Sequence, residues 1–280
     1  EANPYLALLT EVVAAQAKLI AKWMSLGFIH GVMNTDNMSI AGETIDYGPC
    51  AFMDSFNPAQ VYSFIDTQGR YAWGNQPRIA SWNLARFAET LLPLLTEQPE
   101  QAVELATAVL QDFNGLNEAE FLRLMAAKIG IVKATNADEV LIRDLLNLMS
   151  ANNADFSESF RLLSQSVTDS NAGAAVLFAD KQSWADWAAK WQQRLAGQGI
   201  GLVQVSQQMD NTNPALIARN HLVAAAITLL AVGYFASAPT GVSIKVPNVV
   251  GLTEVEARVL LKDFNINIER APDAKIPLDR

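Results

Sequence analysis

The sequence predicts a mainly α-helical fold with a small β element, on three observations. Apolar residues recur at helical spacing over residues 5–27 and again through most of 79–195. A stretch rich in Gly, Asn and Asp at 30–39 breaks that pattern with turn chemistry. The apolar pieces around Ile40 and Ile45 are long enough only for short strands.

In the first helix Leu6, Leu9, Val12, Val13, Leu19, Ile20, Trp23 and Met24 share the apolar face, and Gly27 supplies the C-cap. After the loop and its short strands comes more turn chemistry, Asp46-Tyr47-Gly48-Pro49. Residues 54–78 read as irregular, with turns at Asn57-Pro58 and Gly69-Arg70. Helices are expected at 82–95, stopped by Pro99, and then at 102–113, 118–129, 137–150 and 155–164. A further helix at 182–195 places Trp184, Trp187 and Trp191 at i, i+3 and i+7. That stripe reads as a core face in preference to an aromatic binding box. The run 222–238 carries no charge; a buried helix is favoured, a membrane span the alternative. The tail then offers a strand-and-turn piece from Val246, a helix at 254–264 and a short strand at 265–269.

With 280 residues the chain suffices for one large domain or two modest ones. Its 20 basic and 29 acidic side chains give a net charge of −9, which repels phosphate backbones, so no nucleic-acid partner is expected. Acidity does not exclude a nucleotide, because one bound metal ion inverts the local field. Cys50 is the single cysteine, so neither an intrachain disulfide nor a cysteine-based zinc site can form. That fits a reducing compartment, and a cytoplasmic location is expected. The N-terminus shows no leader pattern and begins almost at once in a helix, as a partial protein would.

Chemistry concentrates in 30–54. Chemistry on ATP needs hard oxygen ligands, a carboxylate and an amide, for the metal ions that bridge phosphates. Protein kinases supply them from His-x-Asp-x-x-x-x-Asn and a following Asp-Phe-Gly. Here His30 and Asn37 keep that spacing, and Asp46-Tyr47-Gly48 stands nine residues beyond Asn37. Asn37 and Asp46 are therefore the expected metal ligands. Val32 occupies the place of the kinase's catalytic aspartate and cannot accept a proton, which leaves Asp36 as the loop's carboxylate for that role. Without further support the pattern also reads as a polar turn whose Asp36 and Asn37 cap their own backbone.

Gly27-Phe-Ile-His-Gly-Val-Met-Asn-Thr-Asp-Asn-Met-Ser39, Thr44-Ile-Asp-Tyr-Gly-Pro49, Phe52-Met-Asp54, Gln68-Gly-Arg-Tyr-Ala72, and Gln76-Pro77 through Trp82-Asn-Leu-Ala-Arg86 resemble the selenoprotein O family. Asn213-Pro-Ala-Leu-Ile-Ala-Arg-Asn-His-Leu222 resembles its late C-terminal segment, so the similarity spans 1–226. The resemblance implies a pseudokinase fold, here the C-terminal lobe with the N-terminal lobe absent. It implies transfer of AMP from ATP, bound flipped relative to a kinase, to Ser, Thr or Tyr hydroxyls of protein substrates. Carried over by motif, the proton acceptor falls on Asp36. Magnesium, or manganese, falls on Asn37 and Asp46, and Asp46 also lies near the nucleotide phosphates.

No Gly-rich phosphate cover or phosphate-pairing lysine is recognisable, so the chain alone is expected to bind ATP poorly and to be inactive. His30 reads as structural in preference to a base, His221 as a helix-start residue, and Cys50 as a small buried thiol in preference to a redox nucleophile. Arg70, Arg78 and Arg86 read as a solvated or ion-paired face, with phosphate contact the alternative. Past residue 226 the family pattern stops. Residues 227–245 read as apolar helix or linker, and 246–280 resemble the opening of a PASTA domain, forming a short α/β tail. The rival reading is therefore a non-catalytic module tethered to a membrane through 222–238, with a remnant kinase-like lobe and a tail that binds cell-wall peptide.

Overall fold

A computed structural model describes residues 3–169 and 171–237. The chain divides into two compact units, Glu1–Ala226 and Ile227–Arg280. The expected tail piece at 246–280 and residues 238–245 of the preceding linker lie outside the described residues.

The first unit is mainly helical, as expected. Helix α1 (Pro4–Ser25) starts at Asn3, whose side chain accepts from the amides of Tyr5 and Leu6 at 2.9 and 3.0 Å. The same side chain donates to Leu95 O at 2.7 Å, which pins the start of α1 to the end of α2 (Gln76–Leu95). Helix α1 ends at Leu26, and Gly27 follows with φ +68°, the left-handed turn that stops the helix. Four short strands come next: β1 (Phe28–Ile29), β2 (Met38–Ser39), β3 (Glu43–Thr44) and β4 (Ala51–Phe52). They form two antiparallel pairs, β1–β4 and β2–β3.

Helix α3 (Pro99–Lys128) is one 30-residue helix where two were expected. Gly115 in its interior costs about 1 kcal/mol relative to alanine, and the burial of Phe113 and Asn117 offsets it. Asn117 donates its side-chain amide to Ala17 O of α1 at 2.9 Å, so a break at 114–117 would orphan a buried polar group. Pro99 opens α3, where its missing N–H is harmless, and does not terminate α2. Helix α2 begins six residues earlier than expected because Gln76 is wholly buried and bonded to β1.

Helices α4 (Asn136–Ala151), α5 (Phe156–Ser166) and α6 (Lys181–Ala196) fall within two residues of their expected bounds. Their starts are set by the capping box of Thr135 and Asp138 and by the caps Asp155 and Asp180. The tryptophan stripe of α6 is a core face. Trp187 and Trp191 are buried, stack at 5.4 Å and donate to Leu141 O and Ile129 O. Helix α7 (Leu202–Thr212) was not expected; only Val205 and Met209 are buried on it, too thin a stripe to read from sequence.

Helix α8 (Asn220–Ser237) takes in most of the uncharged run. The favoured reading of that run as a buried helix is corrected over the residues where it can be examined. Leu222 is 57% and Leu230 75% exposed, and Val223, Ile227 and Leu229 are exposed too. Among the described residues, α1 alone has the length and apolarity to cross a membrane, and it is the core helix of the first unit.

Lys128, the last residue of α3, is buried with its ammonium 4.3 Å from the Phe160 ring centroid and 5.6 Å from that of Phe156. It has no carboxylate partner among the described residues. Burial, assisted by the charge of Lys22, lowers its pKa to about 7. Between that value and the unfolded 10.5 the unfolded chain binds a proton that the folded chain does not, so this residue makes stability rise with pH across the window. Below about pH 7 the full cost of the buried charge is present. Lys128→Met is expected to stabilise the fold at pH 7 by on the order of 2–4 kcal/mol and to flatten the difference in urea midpoint between pH 7 and 10. An unchanged midpoint would rule out a buried, uncompensated amine.

Candidate functional site

The site is built on the turn between α1 and the two strand pairs. Strand β1 pairs with β4 in the register Phe28↔Phe52 and Ile29↔Ala51, and Gln76 of α2 closes the other edge of β1. Gln76 accepts from His30 N–H at 3.1 Å and donates to Phe28 O at 3.0 Å, so its amide takes the place of a third strand's backbone. Beyond β1 the chain turns at Gly31, with φ +84°. A Cβ there would lie 2.9 Å from Pro49 O, so only glycine lets the two arms of the site approach this closely.

His30 is buried against Trp23. Its Nδ1 accepts from Val32 N–H at 3.3 Å, and its Nε2 lies 2.6 Å from the Thr44 hydroxyl. That hydroxyl donates to Asn37 O at 2.8 Å, so Nε2 carries the proton and the ring is neutral. Burial lowers the His30 pKa below its ordinary value; the charge of Asp46 works in the opposite direction. A neutral, doubly bonded ring that fixes a loop backbone is a structural residue, as the sequence implied.

Asn37 closes a 3₁₀ turn (Thr35–Asn37). Its carbonyl accepts from Ile45 N at 3.2 Å as well as from Thr44, and its side-chain nitrogen donates to Val32 O at 2.9 Å. With the nitrogen anchored, Oδ1 is the uncommitted end of the amide. Strands β2 and β3 pair as Met38↔Thr44, and the Ile45–Asn37 bond extends that hairpin by one step. Asp46 follows Ile45 and Asp36 precedes Asn37, so all three predicted residues gather at the open end of one hairpin. Asp36 and Asp46 are both exposed, and neither forms an ion pair among the described residues.

Among the described residues no three His, Cys, Asp or Glu side chains converge on one point. A carboxylate and an amide oxygen nevertheless fit magnesium, which keeps several waters and takes further oxygens from a nucleotide's phosphates. The donor set of Asn37 Oδ1 and the Asp46 carboxylate is hard oxygen.

Cys50 is half-buried where a buried thiol was expected. Its Sγ lies 3.5 Å from Tyr47 O, and burial raises its pKa, which disfavours the thiolate. Arg70 and Arg86 both lie 5.3 Å from the centre of the Trp82 ring, and Arg86 also pairs with Glu89 at 2.7 Å. Arg78 is exposed.

Other residues of the site were not foreseen. Asp54 pairs with Arg219 at 2.6 Å, and Arg219 also bonds Asp155, the cap of α5. This ties the Phe52-Met-Asp54 arm to the segment after α7. Gln16 and Asn83 hold the loop from beneath, through Ser39 O at 2.7 Å and Met33 O at 2.9 Å. Gln16 did carry a signal, a polar residue in register with Val12 and Ile20 on an apolar face.

The first unit is thus a mainly helical domain that carries Asp36, Asn37 and Asp46 at the end of a braced hairpin. Its particular family follows from comparison. Residues 1–235 match the model of the protein adenylyltransferase SelO family. Proteins named protein nucleotidyltransferase YdiU from Clostridium botulinum strain 657 and Alkaliphilus metalliredigens are 52% and 53% identical over 225 residues, 80% of this chain and 45% of each relative. That of Brevibacillus brevis is 51% identical over 227 residues, 81% of this chain and 45% of its own length. The chain belongs to the SelO family, and it spans about 45% of the length of these relatives.

Gly31→Ala is expected to lower the unfolding free energy by about 1–3 kcal/mol, since it meets both a left-handed backbone and the Pro49 carbonyl. Gly48→Ala, whose added Cβ would meet only Asp46 Oδ1 at 3.7 Å, should stay within about 0.5 kcal/mol of the parent. Equal losses in urea titrations would refute the role given to Gly31.

Proposed function

We propose that this chain forms the kinase-like, C-terminal part of a protein adenylyltransferase that moves AMP from Mg-ATP to Ser, Thr or Tyr hydroxyls of protein substrates. The observation that carries the reading is the gathering of Asp36, Asn37 and Asp46 at the open end of one hairpin, braced through Thr44 and the neutral His30. Family membership supports it.

Asn37 Oδ1 and the Asp46 carboxylate would hold Mg²⁺ or Mn²⁺, which when bound neutralises charge on the phosphates. Asp36 accepts the proton of the acceptor hydroxyl. The hydroxyl oxygen then bonds to the α-phosphorus as the bond to pyrophosphate breaks. Asp36 is exposed and forms no ion pair among the described residues, so its carboxylate is free to meet a protein surface. Val32 serves the loop through its backbone alone, to His30 and Asn37, and the geometry asks nothing of its side chain. The chain's 45% coverage of its relatives supports a site completed by residues outside it, such as a phosphate-covering N-terminal lobe. The absence of a disulfide-forming pair supports a cytoplasmic setting.

A second reading draws on the exposed apolar residues of α8, among them Leu222, Leu229 and Leu230. In it the chain is a non-catalytic module held at a membrane through 222–238. Recovery of the expressed chain wholly in the soluble fraction would sink it.

The adenylyltransferase reading is tested by joining this chain to the part of the Clostridium botulinum relative that it does not cover. Transfer of AMP from Mg-ATP to a protein acceptor is then followed by mass spectrometry. Asp46→Ala and Asp36→Ala are each expected to lower the rate by at least ~100-fold, because they remove a metal ligand and the proton acceptor. Transfer that survives Asp46→Ala would refute the site assignment.

A further inference from the structure

A pocket of about 350 Å³ lies between the loop that precedes α2 and the first turns of that helix, lined by Gln68, Arg70, Asn75, Arg78, Ile79 and Trp82. Arg70, Arg78 and Trp82 are exposed. The Arg70 guanidinium lies over the Trp82 ring at 5.3 Å and is 5.6 Å from the centre of the Tyr71 ring. Among the described residues, neither this guanidinium nor that of Arg78 forms a hydrogen bond or an ion pair. Asp66 is turned to the backbone, accepting from the amides of Arg70 and Tyr71 at 2.8 Å, and Glu89 pairs with Arg86. The first turn of α2 carries no acidic residue. A cation–π contact uses no N–H donor, so the Arg70 fork is steadied on the indole and still open to an acceptor oxygen. On a chain of net charge −9, two unpaired guanidiniums in one pocket reverse the field locally.

Paired guanidiniums suit an anion with two acceptor oxygens, which a carboxylate and a phosphate both provide. Position separates the two. Tyr71, next to Arg70, donates its hydroxyl to Asn34 Oδ1 at 2.6 Å, and Trp82 and Arg86 share a second cavity with Thr35. The pocket therefore adjoins the loop at 34–35, immediately before Asp36. No bond or ring contact among the described residues joins it to Asp46 or Tyr47, and the Tyr47 ring packs toward Phe28 and His30 instead. We propose that this pocket docks an acidic side chain of the acceptor protein, close in sequence to the hydroxyl that is modified. The carboxylate takes N–H bonds from Arg70 and Arg78, and its aliphatic stem lies against Trp82. This rests on the adenylyltransferase reading, because that reading puts the hydroxyl at Asp36 and the nucleotide phosphates at Asp46. Arg86 contributes less, since Glu89 already answers its charge.

The test uses the ¹⁵N-labelled 280-residue chain without nucleotide, at low salt. It is titrated with end-capped nine-residue Gly/Ser peptides, identical except for two neighbouring positions beside a central serine that are both glutamate or both glutamine. The glutamate peptide is expected to shift the Trp82 indole N–H resonance, assigned through Trp82→Phe, and to bind about fivefold or more tightly than the glutamine peptide. Raising the salt to about 0.3 M should erase that difference. The double variant Arg70→Glu with Arg78→Glu, both at exposed positions, should lose the glutamate peptide and bind a lysine peptide in its place. The glutamine peptide needs no variant, so the outcome does not hang on how the double variant folds. The proposal is overturned if glutamate and glutamine peptides bind alike at millimolar concentration, or if the shifts fall away from the pocket. It is overturned also if a folded double variant binds the glutamate peptide as the parent does, or if inorganic phosphate shifts the Trp82 resonance and no glutamate peptide does. Binding is read without AMP transfer, so the pocket and the adenylyltransferase reading can fail independently.

Discussion

The structure around the site depends on one buried side-chain amide. Gln76 fills the open edge of β1, taking His30 N–H and giving to Phe28 O, and it does so from the first turn of a helix. A two-residue strand has no stability of its own. Held between β4 and Gln76, it becomes a fixed platform, and the His30 ring is carried into place on it. From that ring the order passes through the Thr44 hydroxyl to the Asn37 carbonyl. A buried chain of hydrogen bonds in which every member is paired is rigid, because breaking any link leaves a polar group stranded. Rigidity at Asn37 suits the metal-ligand role proposed for it, since coordination tolerates little wandering of its donors.

The rest of the first unit serves that platform. Helix α1 lies at the centre, bonded to α3 through Asn117 and to α2 through Asn3. The arm after β4 is fixed by Arg219, which pairs with Asp54 and with the cap of α5. These charges are only partly exposed, and both carboxylates share one guanidinium, so the bridge acts as a geometric tie more than as a large source of stability. It brings residues near 54, 155 and 219 to one place. The loop, its brace and the late segment are therefore parts of one construction, although the sequence separates them widely.

Much of this was legible in the residues. The helical faces of α1 and α4–α6 are written in their apolar spacing, and the tryptophan stripe of α6 is the core face that its i, i+3, i+7 pattern implied. The gathering of Asp36, Asn37 and Asp46 was legible too, because the three lie within one stretch of eleven residues and a single hairpin closes the gap. Local pattern misled where a turn-like composition or a proline met a strong tertiary demand. Asn114-Gly115 reads as a break, but α3 runs through it because Phe113 and Asn117 must reach α1. Alanine-rich apolarity at 222–230 reads as a core helix, yet those side chains are exposed, since apolar composition does not by itself provide a partner face.

Taken alone, then, the sequence determined the helical class, the faces of the main helices, the turn-rich loop and the oxygen donors within it, all properties set by neighbours a few residues apart. The tertiary structure alone decided what holds that loop: Gln16 and Asn83 from below, Gln76 at the strand edge, and Arg219 across 165 residues from Asp54. The physical reason is that a polar side chain on a helix face carries no local mark of the backbone group it will satisfy. Its partner is fixed only when the helices pack and every buried donor and acceptor must be answered.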